Sequence, residues 1–399
     1  MGVVLAGVVL AAAQPISQFY AQPELVDMLW AVSGIFVLNG FATQYEASLS
    51  RSLRFVAIAV AETGSMVIAT VVSVLTAAAG AGYWSLVIMQ IMQSVSALGI
   101  LLIASRWMPR WYRLDARMGA LLRFGVNQMI AQVINYASRN VDTIVVGARF
   151  GATQLGFYNN AYLLLRLPLN QISTPASSVA LPVLSRLQDD RRRFDSYLLR
   201  GQVVVLHLVA FAFALIASQA HSAVAVVLGP QWAPTADLLV IMAAGGLFQA
   251  AGSATQWTML ALGHSGSLLR LMLTTRSAMT ALILLGSIWG VAGVAWAYSA
   301  SCLLVWLIGL IWIAVAFQAP WRELTGIIVR TVCGYGLCFL ASVTISRLAP
   351  EDLPAVRLAL GVAAMVTMAI VVMAVWPAFR RDVRSALAVA SYVKSRAHA

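Results

Sequence analysis

Leu122–Arg200 reads LRFGVNQMIAQVINYASRNVDTIVVGARFGATQLGFYNNAYLLLRLPLNQISTPASSVALPVLSRLQDDRRRFDSYLLR. Two long apolar runs stand back to back in it, and each carries a polar stripe. Gln128, Gln132, Asn135, Arg139 and Asp142 follow one another at intervals of four, three, four and three. That spacing puts all five on one face of a helix. Tyr162, Arg166, Asn170 and Ser173 repeat the pattern in the second run. Elsewhere the runs are Ile, Val, Leu, Ala and Phe. A helix apolar over most of its girth that keeps one polar seam belongs in a membrane, seam inward. A soluble helix with a wet face would have a narrower apolar arc.

The whole chain agrees with its centre. Of 399 residues, 61% are hydrophobic and 10% charged, and the mean hydropathy is +0.85. Soluble domains carry roughly a quarter charged residues. The chain is an all-α, polytopic membrane protein. Its formal charge of +12 does not point to nucleic acid, because the arginines sit in short loops between apolar runs.

About twelve spans of roughly 20 apolar residues follow from the length a bilayer core requires. They are Val3–Phe19, Leu25–Gln44, Phe55–Ala78, Trp84–Ser105, Met118–Val146 and Leu155–Leu184, then Tyr197–Ala217, Leu238–Leu262, Leu268–Trp289, Val291–Ala316, Ile327–Ile345 and Val356–Trp376. The loops between them alternate in charge. One set holds Arg51 and Arg54, Arg106 to Arg117, Arg186 to Arg200, Arg270, Arg322 and the tail from Arg380 to Arg396. The other holds Glu24, Asp27, Asp237, Glu351 and Asp352, with Arg149, Arg347 and Arg357. Cytoplasmic loops are the basic ones, so both ends are expected in the cytoplasm. Met1 runs straight into an apolar span, where a signal peptide would carry a charged leader, so the chain is expected to begin inside a longer design.

Catalytic patterns are sparse. His207, His221, His264 and His398 do not pair at metal-ligand spacing. Cys302, Cys333 and Cys338 lie inside apolar spans, as packing residues do. Gly80–Gly82 reads as a turn, and no phosphate loop appears. No metal, cofactor or catalytic group is expected. No large outer loop is present to carry the chemistry of a polysaccharide polymerase or ligase, the main enzymatic alternative.

The informative residues are charges inside spans, each costing at least about 2.5 kcal/mol at membrane depth. They are Glu62, Arg123, Arg139, Asp142, Arg166, Arg276 and Arg330. Arg123 and Arg330 are near enough to a membrane face to snorkel. Arg139 and Asp142, three apart, are placed to neutralise each other. Arg166 and Arg276 have no partner nearby in sequence, and Arg276 lies about 9 Å deeper than Arg270 along its helix. Gln90 with Gln93, and Gln249 with Ser253 and Gln256 beside Trp257, form further polar faces. Such amides suit sugar hydroxyls and also plain interhelical hydrogen bonds. A cavity lined by arginine favours an anionic substrate. A drug or cation exporter, the other alternative, would concentrate acids instead.

Asn135–Arg200 resembles the polysaccharide flippases of the Wzx type, in the branch that includes the colanic acid exporter. The resemblance rests on Asn135-Tyr136, Arg139-Asn140, Asp142, Leu155-Gly156-Phe157-Tyr158, Ala161-Tyr162, Pro168, Pro175, Leu181-Pro182 and Leu184 to Asp190. Leu228 to Trp232 adds a short turn of the same kind. The resemblance implies the two-lobed bundle of the multidrug/oligosaccharidyl-lipid/polysaccharide exporter superfamily, with an additional helix pair at the end. That scheme has fourteen spans, and this chain lacks roughly the first two, leaving an incomplete first lobe. The lobes would be residues 1–112 and 113–317, followed by the extra pair and basic tail at 318–399.

The resemblance further implies translocation of undecaprenyl-pyrophosphate-linked oligosaccharide across a bacterial inner membrane, by lobes that rock about a central cavity. Surface polysaccharide synthesis is the expected setting, with membrane lipids, the polysaccharide polymerase and the export machinery as further partners. On this reading Arg139, Arg166 and Arg276 attract the pyrophosphate. Gln128, Gln132, Asn135 and Asn170 contact sugar. Glu62 or Asp142 carries a coupling proton or sodium ion.

Overall fold

A computed structural model of the chain describes residues 2–105, 125, 129, 132, 133, 136, 140–350 and 353–386. Its regular structure is helical throughout the described residues. Helices follow from the solvent: lipid offers no partner to a backbone N–H or C=O, so each span satisfies its own. Nine helical stretches among the described residues are long and apolar enough to cross a membrane. The protein is an all-α, multi-pass membrane protein, and its contacts divide it into two compact units, Met1–Ile130 and Ala131–Ala399.

The first unit contains α1 (Gly2–Tyr20), α2 (Leu25–Arg51), α3 (Phe55–Ala78) and α4 (Trp84–Ser105). The last two coincide residue for residue with the spans expected from hydropathy. Pro15 sits within α1 without ending it. Ala61, Ser65, Ala69 and Ser73 are the buried residues of α3. One small side chain every fourth position lets backbones approach closely, the usual way membrane helices pack. This stripe belongs to a helix that packs chiefly on α4, where Ile100 fills the space beside Gly64. Arg54 Nη1 donates to the Ala104 carbonyl at 3.0 Å. It thereby caps a carbonyl left open at the end of α4. The chain reverses between α3 and α4 at Gly80 and Gly82, with φ of 86° and 54°. Glycine adopts these values without the steric cost of a side chain.

The second unit begins with α5 (Val141–Pro168), which folds back on itself at Gly151, φ 80° and ψ 179°. A π turn over Leu169–Ser173 links it to α6 (Thr174–Arg186). Then come α7 (Arg191–Ser218), the short α8 (Ala220–Val227), α9 (Ala233–Ala251), α10 (Ser253–Ala261), α11 (Ser265–Gly286), α12 (Gly290–Phe317), α13 (Trp321–Ser346) and α14 (Pro354–Val375). Asp190 caps α7, its carboxylate accepting from the Arg193 N–H at 3.1 Å. The stretch Pro230–Ala261 is the most deeply buried of the nine. α9 packs against α5, α7 and α12, and glycines make this possible. A Cβ on Gly245 would meet Ser299 of α12 at 2.8 Å, and one on Gly246 would meet the Phe213 ring of α7.

Two features escaped hydropathy. The expected span Leu155–Leu184 is helical but carries the π turn after Pro168. Proline removes a backbone donor there, and the wider turn absorbs the mismatch. The expected span Leu238–Leu262 is interrupted at Gly252. Of the three cysteines, only Cys338 is buried, Cys302 is intermediate and Cys333 is exposed. The packing role expected for all three therefore does not extend to Cys333.

Candidate functional site

The two turns at Gly151 and at Ser287–Trp289 lie side by side. Arg149 Nη1 donates to Ser287 Oγ at 2.5 Å, which fixes both turns on one side of the unit. Depth along four helical legs can be counted from there. The helical rise puts Tyr158 about 10 Å from that side, Tyr298 about 12 Å, Asp142 about 13 Å, Arg276 about 15 Å and Tyr162 about 16 Å. A bilayer core is about 30 Å thick. These side chains therefore form one polar layer near mid-membrane, drawn from both legs of α5 and from α11 and α12.

Within the layer the groups are linked. Asp142 is 1% exposed, and Tyr158 Oη donates to its Oδ2 at 2.8 Å. Tyr158 is wholly buried and stacks on Tyr162, centroids 6.4 Å apart and planes 11° off parallel. Tyr162 meets Tyr298 edge to face at 5.9 Å. Tyr298 Oη donates to Gln249 Oε1 of α9 at 2.9 Å. The Arg166 guanidinium stands over the Tyr162 ring, 5.6 Å from its centroid. Arg276 lies within electrostatic reach of Asp142, Tyr162 and Cys302. Among the described residues its Nη1 meets a soft acceptor, Met279 Sδ, at 3.8 Å. Neither Arg166 nor Arg276 forms an ion pair among the described residues.

The residues expected from sequence divide as follows. Arg166, Arg276 and Asp142 come together around Tyr162. Asn170 lies in the π turn one helical turn beyond Arg166 and is exposed. Gln132 is exposed. Gln128, Asn135 and Arg139 lie outside the described residues. Glu62 is on α3 in the first unit, exposed beside the buried Ala61. Gln249, Ser253 and Gln256 do not share one fate: Ser253 is buried, while Gln249 and Gln256 are exposed. Trp257 is buried, and its Nε1 donates to Ser177 Oγ of α6 at 2.9 Å. Its role is to fasten two helices. Arg330 does not snorkel alone; its Nε meets Asp382 Oδ2 at 2.8 Å.

Tyr158 and Tyr298 are site residues that spacing did not single out. Tyr158 stood inside the quoted motif, but its partner Asp142 precedes it across a turn. Tyr298 is separated from Gln249 by 49 positions, and no local pattern announces that contact.

A profile of the polysaccharide biosynthesis protein family matches residues 1–237. The amylovoran biosynthesis protein AmsL of Erwinia amylovora is 26% identical over 255 residues, covering 63% of this chain and 66% of that protein. The lipopolysaccharide biosynthesis protein WzxC of Escherichia coli (strain K12) is 24% identical over 261 residues, covering 63% of this chain and 52% of that protein. The chain thus spans between about half and two-thirds of the length of these curated relatives. In fold it is similar to the lipid II flippase MurJ in an inward closed conformation. The TM-score is 0.68 at 14% identity, over 93% of this chain and 80% of that one. With more than half its length matched by the profile, the chain belongs to the family of polysaccharide biosynthesis proteins.

Proposed function

We propose that this chain serves a flippase that moves lipid-linked oligosaccharide from one leaflet of a bacterial inner membrane to the other, for surface polysaccharide synthesis. The observation that carries this reading is the pair of guanidinium groups beside Tyr162, Arg276 within the polar layer and Arg166 about one turn beyond it over the ring, with no carboxylate at ion-pair distance from either among the described residues. An unpaired cation at that depth is costly. Its persistence is explained by an anion that visits it. A diphosphate linkage between lipid and sugar is such an anion, and guanidinium forks match its oxygens. Asn170 and Gln249 offer amides to sugar hydroxyls nearby. Asp142 is the group in the layer able to take up and release a coupling proton or bind a sodium ion, and Glu62 is the candidate in the first unit. Translocation makes or breaks no covalent bond, so no catalytic residue is assigned.

The test is the membrane face on which lipid-linked repeat units accumulate when the full-length gene carries Arg276→Ala or Arg166→Ala. Loss of translocation leaves them on the cytoplasmic face. Unpolymerised units on the outer face would mean that translocation is intact, and the assignment would pass to a polymerase or ligase. Full activity of both variants would remove the arginines from the site.

A further inference from the structure

α14 ends at Val375, and Trp376, extended at φ −110° and ψ 97°, turns the chain out of the span. A further helix then occupies 377–386, and its two faces differ. Phe379, Asp382, Val383 and Ala386 share one side by their three-and-four spacing. Phe379 is 1% exposed. Its ring lies 5.2 Å from that of Tyr335 and 5.3 Å from that of His207. Gly334 completes this socket, since a Cβ there would run into the Phe379 ring. Asp382, the acid of this short helix, points the same way and is held by Arg330 at 2.8 Å. The helix is therefore pinned, and its negative charge is spent inward.

The other face is basic. Arg381 and Arg384 are exposed, with Ser385 beside them, and Arg380 is half-buried. The position of this face is also informative. Arg330 lies about one turn inside the apolar run that begins at Ile327. The helix it anchors thus runs where headgroups meet acyl chains, the level taken by interfacial amphipathic helices. Trp376 and the exposed Trp321 mark that level on both helices of the pair.

We propose that the Arg381–Arg384 face of helix 377–386 binds the headgroups of anionic phospholipids on the membrane side where α14 ends. Guanidinium groups bind phosphate through paired hydrogen bonds. Attraction of a basic residue to an anionic membrane surface is worth about fivefold per charge. Arg186 and Arg192 provide the control. They are exposed on the same side, where Arg191 Nη2 donates to the Gln318 carbonyl just before α13. They differ in not belonging to the pinned helix.

Native mass spectrometry of the intact chain, released from membranes doped with phosphatidylglycerol or phosphatidylcholine, reads the lipid retained and identifies it by mass. The Arg381→Gln/Arg384→Gln variant is expected to retain at least about fivefold less phosphatidylglycerol. The Arg186→Gln/Arg192→Gln variant is expected to lose distinctly less than the first variant. Ser385→Arg, which adds a charge to the exposed face, is expected to raise retention and tests the site without removing anything. Equal loss in both double variants would reduce the effect to net charge and overturn the proposal. So would undiminished retention in the first, no gain with Ser385→Arg, or equal retention of phosphatidylcholine by the wild type.

Discussion

Tyr162 is the residue through which the mid-membrane layer is joined. One neighbour stacks on it, another meets its edge and Arg166 lies over its ring. Its chemical service to Arg166 is the ring face, because the quadrupole attracts a cation and needs no hydroxyl. Tyr162→Phe should therefore keep Arg166 in place. Tyr162→Leu should lose about 1 kcal/mol of that attraction, or roughly fivefold in affinity for the anionic substrate. Binding of the lipid-linked substrate to the purified full-length protein checks this. Equal weakening by Phe and Leu would show that the hydroxyl, not the ring, is what matters. The stripe Tyr162, Arg166, Asn170 was legible in sequence because all three lie on one helix. The contacts to Tyr298 and Gln249 were not, since they depend on how α9 and α12 approach α5. Asp142 was legible as a charge out of place, but the hydrogen bond it accepts from Tyr158 was not, because that donor arrives only when the chain reverses at Gly151.

Helices of this protein are fixed in place by what their small residues allow. Gly334 on α13 is the clearest case, because the Phe379 ring occupies the space of its absent side chain. Gly334→Val should push Phe379 from its socket and destabilise the end of the chain by about 1–3 kcal/mol, the usual penalty for overpacking. Phe379→Ala in the same chain should relieve part of that loss, giving a double variant less damaged than the sum of the singles. Thermal unfolding of the four proteins in one detergent measures it; strict additivity would mean that the two residues do not share space. Hydropathy located α3 and α4 to the residue because apolar length is all that a bilayer requires. It could not foresee the π turn after Pro168 or the break at Gly252. These leave the apolar run unaltered and change only which backbone groups pair.

At the scale of the molecule, alternating loop charge is expected to set which side each turn occupies. α13 runs from Trp321 to Ser346, so Arg322 and Arg347 stand at opposite ends of one span. In a cysteine-free background, Arg322→Cys and Arg347→Cys should react with an impermeant thiol reagent from opposite sides of sealed vesicles. Arg192→Cys should follow Arg322→Cys, since Arg191 reaches the Gln318 carbonyl. Labelling of Arg322→Cys and Arg347→Cys from the same side would overturn the crossing. Fold class and the spans such as α3 and α4 were readable from sequence, because both depend on composition along the chain. The layer that joins Asp142, Tyr162 and Arg276 was not, because it exists only once separate spans are brought to a common depth.

The reversal at Gly151 also bears on how the chain enters the bilayer as it is made. Asp142 emerges from the ribosome 16 residues before Tyr158, the donor that satisfies its carboxylate. The first leg alone would deliver Asp142 to hydrocarbon without this donor, whereas the closed hairpin delivers it already hydrogen-bonded to Tyr158. The partition that governs this stretch is therefore that of two legs released together, with the glycine as the fold line between them.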